Sequence, residues 1–145
     1  PETDRMYVEA LCKKYKPSLI VFDQLDKIYG FQNDREDLRM GQIYIWAREL
    51  AKRYCPVIGV CQADGSGEGQ RYLSLSNVAN SKTTKAAEAD FILGIGYENI
   101  AGRQNLRGIS ILKNKLLGDE DTDPTYRHGA WDVLIKPNIQ RYVDS

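Results

Sequence analysis

Two stretches decide the fold: residues 18–28, SLIVFDQLDKI, and residues 57–64, VIGVCQAD. Each opens with a short continuous apolar run, too short for a helix. Each closes on a polar side chain, Asp23 in the first and Gln62 in the second. A run that is apolar on every position rather than on alternate ones is the pattern of a strand covered on both faces, as in a parallel sheet. Between them, Met40, Ile43, Ala47, Leu50, Ala51 and Tyr54 repeat at helical spacing from Glu36 to Tyr54, and Pro56 ends the repeat. Strand, helix, strand is the crossover unit of a parallel sheet.

Working outward, Tyr7, Val8, Leu11, Cys12 and Tyr15 predict an amphipathic helix over residues 3–15, broken by Lys16 and Pro17. Residues 63–80 carry Gly65, Gly67 and Gly69 among Ser, Asn and Gln, and predict a long mobile surface loop. A short helix follows over residues 81–89. Further strands are predicted at residues 90–95, 106–113 and 131–136, antiparallel hairpins on the sheet edge, with Trp131 in the core. No internal repeat or dividing linker is visible, so residues 1–145 read as one segment of a single domain.

Composition excludes several classes. With 145 residues, 42% apolar and 28% charged, the chain has the make-up of a soluble globular domain. Its twenty basic and twenty acidic residues cancel, so any nucleic-acid contact has to come from local clusters. Three cysteines and one histidine, without C-x-x-C spacing, offer no metal site and read as reduced, buried cytosolic thiols. No apolar run reaches the roughly 18 residues of a membrane span. The first residue is Pro1, which suggests a fragment.

Asp23 is the first candidate for chemistry. A carboxylate at the carboxyl end of a buried parallel strand is how nucleotide triphosphatases hold Mg²⁺, although such strands also end on Asp merely as a turn residue. Asp26 has the wrong spacing for a paired-carboxylate site and reads as solvent-facing or capping. Gln62 has a donor and an acceptor, suited to sensing a terminal phosphate and orienting water, and the crossover brings it beside Asp23. Arg71, Tyr72, Lys82 and Lys85 are a thin single-strand track in a segment that composition alone makes a solvated loop. Arg103, Arg107, Lys113 and Lys115 form a basic group, with Lys113 and Lys115 on one face of a strand.

In their order, SLIVFDQLDKI, VIGVCQAD, SKTTKAAEADFILGIG and ISILKNKLLGD resemble hexameric replicative helicases of the DnaB type and their phage relatives, over roughly residues 15–120. The resemblance implies an α/β fold, a partial RecA-like P-loop NTPase core with a mostly parallel sheet and antiparallel C-terminal strands. It implies ATP as substrate, Mg²⁺ held by Asp23 through water, and Gln62 coupling the γ-phosphate to DNA. It further implies Asn77, Asn80, Ser81 and Lys82, beside Arg71, as contacts to single-stranded DNA. Lys113 and Lys115 would reach the neighbouring subunit's ATP in a ring.

Two departures stand out. The family has K-x-R where this chain has Lys113, Asn114 and Lys115, so the planar fork of an arginine finger is replaced by a point charge. No G-x-x-x-x-G-K-[ST] occurs, which puts the phosphate loop upstream and leaves the fragment without ATPase activity of its own. Two other readings share parts of the pattern: another RecA-like ATPase, of recombinase, clock or signalling type, and a non-catalytic DNA-binding or assembly module.

Overall fold

The computed structural model describes residues 3–31, 33–78, 82–116 and 127–144. Its elements run α1 (Thr3–Tyr15), β1 (Ile20–Asp23), α2 (Glu36–Arg53), β2 (Val57–Val60), α3 (Lys82–Glu88), β3 (Phe91–Gly96), β4 (Leu106–Asn114), β5 (Ala130–Lys136) and β6 (Arg141–Asp144). They form two compact units, neither contiguous in sequence: residues 1–62 with 79–89, and residues 63–78 with 90–145.

In the first unit β1 and β2 pair in parallel, Ile20 opposite Val57 and Asp23 opposite Val60. The predicted helix between them is α2, with Glu36 and Asp37 in its first turn and Lys52 and Arg53 in its last, the charge order that suits the helix dipole. Its apolar stripe, Met40, Ile43, Trp46, Ala47 and Leu50, packs with Phe22 and Leu25 into one core in which Ile43 is fully buried. Trp46 is its centre, with Phe22 and Phe31 each 5.6 Å away between ring centroids, and α1 adds Val8. The expectation of strands covered on both faces needs correction. Phe22 faces the core, whereas Val21, Ile58 and Val60 stay 57, 50 and 43% exposed, because α2 lines one face of the pair.

The second unit is a four-stranded antiparallel sheet in the order β3-β4-β5-β6. The described strands are therefore mostly antiparallel rather than mostly parallel. The nine residues between β3 and β4 leave no room for a crossover helix, so the strand has to turn back on its predecessor. β6 escaped the sequence reading, and Trp131, predicted in the core, is 45% exposed. Of the cysteines, Cys12 and Cys55 are buried as expected, but Cys61 is exposed.

The Gly-rich segment 63–78 is packed structure, not the mobile loop its composition predicts. An Ala63–Val78 bridge closes it. Buried Asn77 ties it internally, accepting from the Ser74 N–H at 2.7 Å and donating to Ser66 Oγ at 3.0 Å. Ser110 Oγ donates to the Leu73 carbonyl at 2.9 Å. Cross-strand partners Gly96 and Gly108 make the approach feasible: a Cβ on Gly108 would lie 2.1 Å from the Arg71 carbonyl oxygen, and one on Gly96 2.3 Å from that of Gln70. The arginine itself forms a bidentate ion pair with Asp132 on β5, and Tyr72 donates to the same carboxylate at 2.7 Å.

Candidate functional site

Asp23 is the last residue of β1, and its register partner Val60 is the last of β2. Gln62 follows two residues later, so the parallel pairing brings both polar side chains to the carboxyl edge of the same two strands. Both are exposed. The apolar runs of β1 and β2 stop where the sheet edge meets solvent, which is why the polar residues fall there. The Asp23–Gln24 peptide is cis.

Asp26, read from sequence as solvent-facing or capping, is neither. It lies in the 3-10 turn Leu25–Lys27, anchored by buried Leu25. One carboxylate oxygen accepts from Lys85 Nζ at 2.7 Å and the other from Tyr44 Oη at 2.9 Å. The Lys85 side chain is only 1% exposed, and its ammonium also sits 5.2 Å from the centre of the Tyr44 ring. A lysine so enclosed cannot serve the strand track predicted for it. Burial, with Cys61 and Asp26 beside it, pushes the Tyr44 phenol well above the usual tyrosine range. No sequence signal marks this cluster, since Asp26 and Lys85 lie 59 residues apart.

The other predicted residues divide. Lys113 is half-buried near the end of β4, opposite Ile92. Lys115 is exposed just beyond the strand, its N–H donating to the Asp90 carbonyl at 2.8 Å. Arg103 pairs with Glu98 at 3.1 Å, and Arg107 caps the Gln104 and Leu106 carbonyls while stacking on Tyr97. Arg71 and Asn77 are held in the contacts described above, both within the packed segment. Asn80 and Ser81 lie outside the described residues; of Lys82 only the backbone, opening α3, is described.

Among the described residues no group of three or more His, Cys, Asp or Glu side chains could hold a metal. A lone exposed carboxylate such as Asp23 still fits Mg²⁺, which keeps most of its waters and takes its remaining ligands from phosphate oxygens. An open cleft lined by Arg5, Glu9, Phe31, Gln42, Trp46 and Arg53 includes neither Asp23 nor Gln62. No described helix is long and apolar enough to cross a membrane.

No family model matches the sequence, and no curated protein matches it. Among solved structures, the chain is similar to a DnaB-like replicative helicase described together with its interactions with primase. The TM-score is 0.75 at 16% identity, over 98% of this chain and 36% of that one. At that identity the likeness is one of fold: this chain folds as part of a DnaB-like helicase does, spanning about a third of its length.

Proposed function

We propose that this chain is the C-terminal part of the RecA-like ATPase domain of a DnaB-type, phage-like hexameric replicative helicase, which couples ATP hydrolysis to movement along single-stranded DNA. The observation that carries the reading is the register setting Asp23 against Val60, which leaves Asp23 and Gln62 at one carboxyl edge of a parallel pair, where α/β folds bind phosphates. The shared fold and the order of the four motifs support it.

In this reading Asp23 would hold Mg²⁺ through water, and the ion would supply positive charge to offset that of the phosphates. Gln62 hydrogen-bonds the terminal phosphate and orients the attacking water through its amide. Lys113 and Lys115 act in trans on a neighbouring subunit's ATP. Lysine in place of arginine supplies charge without the bidentate fork, so transition-state stabilisation is weaker than an arginine finger gives. Asn80, Ser81 and Lys82 contact the DNA, and Arg71 and Asn77 hold the adjoining segment in shape. The protein works in the cytoplasm of a bacterium or phage-infected cell.

The test is ATP hydrolysis by the full-length protein with and without single-stranded DNA, beside Asp23→Asn, Lys115→Ala and residues 1–145 alone. Stimulated hydrolysis that both substitutions abolish, and that the 145-residue chain lacks, is the expected result. A full-length protein that is inactive, or indifferent to both substitutions, refutes the motor and leaves a DNA-binding or assembly module.

A further inference from the structure

The Lys85–Asp26–Tyr44 cluster plays no part in the chemistry above, yet it touches both ends of the candidate site. Asp26 stands three residues beyond Asp23, in the turn that leaves β1. Tyr44 faces Asp26 and Cys61, the residue before Gln62. Lys85 belongs to α3, which opens at Lys82, directly after residues 80 and 81 in sequence. A second tie runs beside it: Arg48 of α2 pairs with the Glu88 carboxylate at 3.7 Å and donates to the Glu88 carbonyl.

A buried ion pair is a poor device for stability, because desolvating two charges cancels much of their attraction and an apolar pair of similar volume does as well. What it supplies is a directional tie. The ammonium meets one carboxylate oxygen, the phenol meets the other, and the ring closes over the ammonium, so α3 cannot shift without uncovering a charge. A short helix held in this way has one favoured position relative to the turn after Asp23.

We infer that Lys85 is a positioning residue that couples the phosphate edge to the DNA-contacting segment, through Asp26 and Tyr44. A displacement of the Asp23 turn or of the Gln62 strand end is passed by the ion pair to α3 and to Lys82 at its start; DNA bound at Lys82 acts back along the same path, since coupling between two sites is reciprocal. This inference rests on the proposed function.

The experiment is ATP hydrolysis by the full-length protein with and without a single-stranded oligonucleotide, for wild type, Lys85→Met, Asp26→Asn and Tyr44→Phe. We expect Lys85→Met to lower the DNA-stimulation ratio about tenfold, with Asp26→Asn intermediate, while DNA-free hydrolysis stays within about twofold of wild type, as ordinary coupling between sites predicts. An unchanged ratio in folded variants overturns the inference. So does a parallel fall in both rates that follows the folded fraction, which is what a merely structural role gives. If Lys85→Met does not fold, Asp26→Asn and Tyr44→Phe, which preserve shape, decide by the same ratio. A wild type with no stimulation refutes the helicase reading and this inference together; a stimulated wild type with equally stimulated variants refutes this inference alone.

Discussion

Gly108→Ala tests the packing of the 63–78 segment directly. The added methyl would sit 2.1 Å from the Arg71 carbonyl oxygen and 2.8 Å from both its carbonyl carbon and a Tyr72 ring atom. That is nearly an ångström inside the 3.0 Å that real Cβ contacts respect, and the first obstacle is backbone, which cannot rotate away. Relief requires the Gln70–Tyr72 backbone to lift off β4, straining the bidentate Arg71–Asp132 pair and the Tyr72 hydrogen bond to the same carboxylate. Overpacking costs about 1–3 kcal/mol, and a weakened hydrogen bond to a charged group adds part of the roughly 1.5–3 kcal/mol such bonds contribute. We therefore expect a loss of about 3 kcal/mol. The sign is diagnostic, because Gly→Ala at an unstrained position stabilises by about 0.4–1 kcal/mol through the unfolded chain. Gly129→Ala, where no atom lies within 4 Å of the new methyl, is the control and should be neutral or slightly stabilising. The assay is urea unfolding followed by circular dichroism and by tryptophan fluorescence, to which Trp131 of this unit contributes beside Trp46 of the other. A Gly108→Ala protein as stable as Gly129→Ala would mean that the segment does not lie on the sheet.

Lys85→Met should cost about 2–4 kcal/mol, near the figure for breaking a buried pair but softened because Asp26 keeps some exposure to water, whereas Lys85→Met/Asp26→Leu should return to within about 1 kcal/mol of wild type. Equal losses in the single and double variants, measured by denaturant midpoint, would refute the pairing. Ile43→Ala, at a fully buried core position, should cost about 2–5 kcal/mol with unchanged topology, and a loss below about 1 kcal/mol would contradict the core assignment. For Tyr44 the sign follows from its raised pKa. The folded protein keeps the phenol proton that the unfolded chain releases above about pH 10, so the stabilisation is complete below that value and falls as pH rises past it. Tyr44→Phe should flatten the alkaline limb of a stability–pH curve, and an identical slope in both proteins would refute the burial of the phenol.

Much of the first unit was legible along the chain. Continuous apolar runs and a 3.6-residue stripe are local signals, and they located β1, α2 and β2 to within a residue or two. The same signals put Asp23 and Gln62 at strand ends, because a parallel crossover leaves consecutive carboxyl ends side by side. Glycine content misled at residues 63–78. Composition registers backbone freedom, and it cannot tell a loop that uses glycine to stay mobile from a segment whose partner strands use glycine to let it approach, as Gly96 and Gly108 do.

The sequence alone thus determined the crossover unit and the two side chains at its edge, since both follow from patterns within a few residues. Only the tertiary structure decided that Lys85 is buried against Asp26, 59 residues away, that Arg71 is held by Asp132 across 61, and that α2 covers one face of the parallel pair. Each of these depends on which distant segments meet, and a charged side chain reads the same in a sequence whether it faces water or closes a buried pair.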